Sequence, residues 1–110
     1  MLINTSSKFD ARDVIAIKFV NGEEILATFV KQEGDTITVT NPVIMQLVPV
    51  GNGQGAVQFA PFMLGVADDA EYVFTLDKLM INPIKARKDA ASQYMKATSS
   101  IELVGGAGLI

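Results

Sequence analysis

The stretch Val14–Val50 most constrains the fold, because its residues read as three consecutive β-strands joined by two short turns. The first run, Val14–Val20, and the second, Glu24–Lys31, both place apolar residues alternately on two faces, which is the period of a strand. Asn21-Gly22 lies between these runs, and both residues tolerate the positive φ angles of a tight turn. We therefore expect an antiparallel hairpin over these two runs.

The third run, Thr36–Val50, is long and rich in Thr, Val and Ile, the residues that favour strands. The turn before it is Glu33-Gly34-Asp35. Pro42 and Pro49 interrupt the run, and neither has an N–H for a strand ladder. Each proline therefore predicts a bend or an edge position in this strand.

Further strands and one helix follow. A glycine-rich turn at 51–55 leads into a fourth strand at Ala56–Val66. A phosphate-binding loop would instead need a lysine and the start of a helix after the glycines, so a hairpin turn is favoured. A tight turn at 76–78 is flanked by two short strand segments, Tyr72–Thr75 and Leu79–Ile81. Alanines and Tyr94 recur at helical spacing and predict a helix over 84–98. The pattern indicates a mainly β fold, a small and strongly bent antiparallel barrel of about five strands with a C-terminal helix.

We expect a single domain over residues 1–110, with an N-terminal arm at 1–13, the barrel at 14–83, the helix at 84–98 and a tail at 99–110. The opening Met1-Leu2-Ile3-Asn4 is too short an apolar run for a signal peptide, and no stretch approaches transmembrane length. A cytoplasmic location without membrane contact is therefore expected.

The residue types exclude several chemistries. The chain has no cysteine and no histidine, which removes disulfides, typical zinc sites and histidine acid–base catalysis. Glu23 and Glu24 would point to opposite faces of a strand, and the acids at 68–71 lack the spacing of a calcium loop. We therefore expect no enzyme activity, no metal and no cofactor.

Charge is distributed unevenly along the chain. The formal net charge of −3 argues against general coating of duplex DNA. Residues 1–77 carry −6, whereas residues 78–96 carry +4. Lys85, Arg87 and Lys88 form a possible basic patch in the second segment. Such a patch either faces a polyanion or is the solvated face of a helix.

Several segments resemble the signatures of the Sm/LSm family. Ile17–Val30 resembles the first signature, in which an apolar strand runs into a turn glycine, here Gly22, and a small residue, here Ala27, follows. The segment 35–38 is similar to the family's Asp-x-x-Met-Asn loop, one residue shorter. Val73–Ile81 has the strand–turn–strand shape of the second signature without its Arg-Gly pair.

The overall layout is similar to small Sm-like proteins of marine phages of the cyanophage type. The shared features are the turn at Asn21–Glu24, the Asn41-Pro42 step, the strand segment Phe59–Phe62 and a tyrosine-bearing C-terminal helix, within residues 14–97. This resemblance favours an Sm-like barrel over the SH3-like and OB-fold barrels that the strand pattern leaves open. It also implies edge-strand pairing between copies, in a cyclic homo-oligomer of about five to seven subunits.

The resemblance implies a site for single-stranded RNA or DNA at two loops around the pore of such a ring. One loop precedes the third strand and the other joins the last two strands. The implied contact residues are Asp35, Thr36, Ile37, Thr38, Thr75, Asp77 and Lys78. Threonine hydroxyls can hydrogen-bond a base edge, although neither loop has an aromatic side chain for stacking. The same residues are also ordinary choices for hairpin turns.

The sequence therefore predicts a ring-forming, Sm-like protein that binds single-stranded nucleic acid, RNA in the first instance, in RNA or DNA processing of a phage or its host. The alternative is a homo-oligomeric scaffold of phage origin that contacts protein and binds no nucleic acid. Its contacts would be the methionine-bearing surface and the tail. Dependence on salt separates the two, because nucleic-acid binding weakens as salt rises.

Overall fold

The computed structural model describes the backbone of residues 9–108 and the side chains of residues 9–99. Its elements are β1 (Val14–Lys18), β2 (Glu24–Glu33), β3 (Thr36–Gly51), β4 (Gln54–Pro61), β5 (Glu71–Thr75), a 3-10 turn (Leu76–Lys78), β6 (Ile84–Lys85) and α1 (Lys88–Gly108). The expected long third strand is therefore confirmed, as is a C-terminal helix.

All strands belong to one antiparallel sheet in the order β4-β3-β2-β1-β6, with β5 pairing to β3 as well. β3 has 16 residues, so it pairs with β2 and β5 through its first part and with β4 through its second. Beyond β5, the chain returns along the free edge of β1. Phe19 and Leu79 form an isolated bridge there, and the Met80 N–H donates to the Lys18 carbonyl over 2.9 Å. The fold is thus mainly β, with an open antiparallel sheet and a C-terminal helix.

The turn between β1 and β2 follows directly from its residues. Gly22 has a φ of 95°, where a side chain would be strained. The Asn21 side-chain oxygen accepts a hydrogen bond from the Glu23 N–H over 2.9 Å, and the Phe19 N–H closes the hairpin on the Glu23 carbonyl over 2.9 Å. The predicted hairpin is confirmed, with Ile17 opposite Ile25.

The two faces of the sheet bury two different apolar clusters. On one face lie nine buried residues: Phe9, Ile15, Ile17, Ile25, Ala27, Phe29, Ile37, Val39 and Leu79. On the other face Val14, Leu26 and Val43 pack with Tyr94 of α1. Burial of one such large aliphatic side chain stabilises the fold by about 1.5–3 kcal/mol. The alternation in β1 and β2 therefore assigns one set of residues to the larger cluster and the other to the helix-covered face.

A β-bulge bends β3 at Asn41 and Pro42. Leu26 of β2 pairs with Val43, and Thr28 pairs with Thr40, so β3 contains one extra residue between these pairs. Asn41 adopts a φ of 52°, a region that asparagine tolerates better than most residues. Pro42 has no N–H to donate to a strand ladder, and at the bulge no ladder hydrogen bond requires one. This is the position expected for a proline inside a long strand.

Tyr94 of α1 fixes this bulge from the second face of the sheet. Its side chain is 1% exposed, and its hydroxyl donates to the Asn41 carbonyl over 2.8 Å. The Thr28 hydroxyl lies 2.9 Å from the same phenol oxygen and can donate to it. The phenol thus gives a hydrogen-bond donor to a half-buried carbonyl at the bulge of the β2–β3 ladder.

The helix and the fourth strand differ from the predicted boundaries. The helix begins at Lys88 rather than at 84, because Ile84–Lys85 pairs with Ile15 and Ala16 on the open edge of β1. It continues through the first ten residues of the predicted tail, 99–108. β4 ends at Pro61, since the Phe62 N–H turns to the Pro42 carbonyl. Residues 1–8 of the predicted arm and 109–110 lie outside the described residues.

No helix in the described part of the chain has both the length and the apolar character needed to cross a membrane.

We expect Tyr94→Phe to lower the free energy of unfolding by about 1–3 kcal/mol, because it leaves the half-buried Asn41 carbonyl without its donor. Chemical denaturation followed by circular dichroism measures this change. Tyr72→Phe is the matched control, because within the described residues the Tyr72 hydroxyl makes no hydrogen bond. A loss of equal size in both variants would contradict the role given to Tyr94.

The same residue gives stability a dependence on alkaline pH. Burial raises the pKa of the Tyr94 phenol above its ordinary value of 10.0. Above that pH the unfolded chain binds fewer protons than the folded one, so the free energy of unfolding falls as pH rises towards the folded-state pKa. We expect this fall in the wild type and in Tyr72→Phe, and a smaller one in Tyr94→Phe.

Candidate functional site

The structure brings the two predicted loops together at one end of β3. The Leu76 N–H donates to the Asp35 carbonyl over 2.7 Å, and Thr36 pairs with Thr75 across β3 and β5. We call the surface formed by Asp35, Thr36, Thr75, Asp77 and Lys78 the two-loop cluster. Its members come from both segments that the Sm resemblance singled out, and their proximity follows from β3–β5 pairing.

Local chemistry holds each loop in shape. Gly34 adopts a φ of 58° in the turn between β2 and β3, and the Thr36 hydroxyl donates to the Glu33 carbonyl over 3.0 Å. In the other loop the Leu79 N–H donates to the Leu76 carbonyl over 3.1 Å, which closes the 3-10 turn. The backbone of both loops is therefore fixed by hydrogen bonds, and their polar side chains are left to face outwards.

Two of the predicted contact residues do not reach this surface. Ile37 is 0% exposed and belongs to the larger apolar cluster, and Thr38 is 4% exposed. β3 is flanked by β2 and β5 at these positions, and both of its faces are covered there. The structure thus leaves Ile37 and Thr38 beneath the surface, while Asp35, Asp77 and Lys78 are exposed and Thr36 and Thr75 half-buried.

Negative charge dominates the two-loop cluster. Asp35 and Asp77 contribute two carboxylates and Lys78 one ammonium group. Sequence reasoning did not include Lys31 and Glu33, which the β2–β3 register places beside the cluster opposite Thr38 and Thr36. These two side chains form an exposed ion pair at 3.7 Å, so they add no net positive charge. The hairpin register alone would have identified them.

The possible basic patch lies elsewhere, on β6 and at the start of α1. Lys85 Nζ lies 3.8 Å from Asp13 Oδ1, and Arg87 Nε lies 2.8 Å from Asp89 Oδ1. Lys88 is exposed at the first position of the helix. Two of the three cations thus already have carboxylate partners. Exposed pairs of this kind are worth about 0–1 kcal/mol, but they reduce the positive potential that a polyanion would meet.

Two clefts open on the described surface. One of about 200 Å³ lies between the bulge of β3 and the segment after β4, and Pro42, Phe62 and Leu64 line it. The other, of about 670 Å³, lies between α1 and the sheet beside Arg12 and Tyr94. Among the described side chains, no group of three His, Cys, Asp or Glu residues could hold a metal ion.

No protein-family model matches the chain, and comparison with curated proteins gives no match either. The two-loop cluster offers carboxylates, hydroxyls and one ammonium group, which can hydrogen-bond a polar ligand. The described aromatic rings closest in sequence to it, Phe74 and Tyr72, pack against Phe62 rather than stand free for stacking.

We expect Gly34→Ala to destabilise the protein by about 1–2 kcal/mol, because an alanine side chain is strained at a φ of 58°. Thermal unfolding measures the effect. Gly65→Ala is the control, because that glycine has no positive φ and a Cβ there would meet nothing within 4 Å. Equal melting temperatures for the two variants would show that the turn conformation is not required.

Proposed function

We propose that the chain is a homo-oligomeric assembly scaffold whose copies pair through strand edges into a ring. The observation that carries this proposal is the open edge of β5. Among the described residues β5 pairs with β3 alone, and Val73 at its centre is 62% exposed. Native proteins usually protect such an edge with charge, proline or a covering element, because open backbone groups pair with other strands.

A second open edge supports a ring rather than a closed dimer. The segment after the 3-10 turn lies against β1 on one side, and Met80 and Ile81 are 52% and 50% exposed. Pairing of β5 with this segment of the next copy joins two different surfaces. Such heterologous contacts generate rings when the rotation closes. We propose five to seven subunits, the range that the resemblance to Sm-like proteins implies.

The return of the chain along β1 supports an Sm-like barrel for each subunit. The Phe19–Leu79 bridge, the Met80–Lys18 hydrogen bond and the pairing of β6 with β1 lie along one edge in sequence order. A 3-10 turn between β5 and this segment is compatible with an SH3-like strand order. The barrel proposal thus depends on these three contacts between the last segment and the first strand.

We expect Val73→Lys to reduce the oligomer to smaller species, because a lysine at the centre of an edge strand disfavours strand pairing. Size-exclusion chromatography with light scattering measures the mass. Met95→Lys is the control, since Met95 is 57% exposed on α1, away from both edges. A wild-type monomer, or an unchanged mass for Val73→Lys, would count against edge pairing.

A second candidate function is the binding of single-stranded RNA or DNA at the two-loop cluster, in RNA or DNA processing of a phage or its host. The hydrogen bond between Leu76 and Asp35 favours it, because it joins the two loops that the resemblance assigns to nucleic acid. Lys78 supplies an exposed cation. The carboxylates of Asp35 and Asp77 oppose binding of a polyanion, so we place this function second. A ring would raise weak affinity by presenting several copies.

We expect Lys78→Glu to abolish any binding of oligo-U RNA measured by fluorescence polarisation, because it removes the exposed cation of the cluster and adds a further carboxylate. Binding by the wild type should weaken as salt rises. Lys96→Glu makes the same change of charge on the exposed surface of α1 and should bind as the wild type does. If both variants behaved alike, the cluster would not be the binding site; if the wild type did not bind, this second function would be excluded.

A further inference from the structure

The central third of the chain carries no charge. No Asp, Glu, Lys or Arg occurs between Asp35 and Asp68, although the chain contains 21 such residues in all: 9 basic and 12 acidic. Within this stretch β3 and β4 form a two-stranded ribbon beyond the reach of β2, which pairs with β3 only as far as Ile44. We call residues 45–59 the apolar ribbon.

One face of the apolar ribbon is entirely apolar. Met45 and Phe59 are cross-strand partners and pack against the cluster that contains Tyr94. The next pair on that face, Leu47 and Val57, extends past the cluster and is 76% and 46% exposed. Leu47 lies over Gly55, where an added Cβ would come within 3.0 Å of its Cδ1. The helix-side face therefore continues outwards as an apolar surface that none of the described residues covers.

The other face of the ribbon differs in character. Gln46 pairs with Gln58 there, and both side chains are exposed. The next pair on that face, Val48 and Ala56, is apolar, so this face is mixed whereas the Leu47–Val57 face is wholly apolar. An isolated two-stranded hairpin is marginally stable in water, so a cover on the apolar side would stabilise it.

We propose that this cover is a second copy of the chain, with the Leu47–Val57 faces of two ribbons packed against each other about a two-fold axis. Charge is the reason for choosing a second copy. Each chain carries −3, so two copies repel wherever acidic surfaces meet, and the ribbon is the region in which neither copy contributes charge. A two-fold axis places the same face on both sides of the contact.

Other classes of partner lack an attraction at this surface. Nucleic acids and anionic membranes are held largely by Lys and Arg, and the ribbon has neither. The ribbon also lies apart from the β5 edge of the proposed ring, so the two contacts involve different residues. Self-association through the ribbon consequently goes beyond the edge-to-edge assembly and can be tested separately from it.

The size of the face determines how the association should behave. β4 has 8 residues and is therefore roughly 26 Å long, and two strands are roughly 10 Å wide. That face is smaller than the roughly 800 Å² that each partner contributes to a standard interface. We therefore expect a contact that dissociates on dilution, and the experiment should span a wide range of protein concentration.

The test is Val57→Lys, studied by sedimentation velocity beside the wild type. Two lysines would meet near the two-fold axis, so the variant should have half the mass of the wild type at high concentration. Val20→Lys is the matched control, because Val20 is 69% exposed outside the ribbon. Circular dichroism confirms that the variants are folded. An equal mass for Val57→Lys and wild type, or a monomeric wild type at every concentration, would overturn the proposal.

A second measurement uses the absence of cysteine from the chain. Val57→Cys should give disulfide-linked dimers on mild oxidation, whereas Ser92→Cys, on the exposed surface of α1, should give few. Equal yields would overturn the proposal.

A vesicle experiment tests a membrane as the alternative partner. If the wild type is monomeric and sediments with neutral phosphatidylcholine vesicles, and Val57→Lys does not, the ribbon binds a membrane and the proposal of a second copy is overturned. A mass change in Val73→Lys alone would refute the ribbon contact and keep the ring; a change in Val57→Lys alone would do the reverse.

Discussion

The hydrogen bond from Tyr94 to Asn41 is the interaction on which the architecture depends. It satisfies the carbonyl exposed by the bulge in β3, and it joins α1 to the sheet at the point where that strand bends. Before the bend β3 lies between β2 and β5; after it, β3 pairs with β4 and keeps β2 only as far as Ile44. One buried hydroxyl therefore connects the packed part of the domain to the exposed ribbon.

The parts of this fold that the sequence predicts are those governed by local rules. Alternation in β1 and β2 assigns residues to two faces because the side-chain period of a strand is two. The Asn21-Gly22 turn follows because the φ of 95° at Gly22 suits few residues other than glycine. Pro42 marked the bend of β3 for a comparable reason, since a residue without an N–H has few places in a sheet.

The remaining features depend on partners distant in sequence. Whether Ile37 and Thr38 face a ligand or the interior is decided by β2, β5 and the covered faces of β3, and no local pattern shows this. Likewise, Ile84 and Lys85 suit a helix, yet the free edge of β1 recruits them into a strand. Asp35 lies beside the 3-10 turn because of the register between β3 and β5. The residue pattern alone does not predict this proximity; the expectation that the two loops lie together came from the resemblance to the Sm/LSm family.

The position of Tyr94 in the chain has a consequence for synthesis on the ribosome. The phenol follows the Asn41 carbonyl by 53 residues, so β1 to β4 emerge well before the group that satisfies the bulge. During that interval water has to solvate the carbonyl, and the second face of the sheet lacks its helical cover. The nascent sheet therefore lacks its helical cover until the helix arrives, and exposed apolar surface at that stage favours wrong contacts.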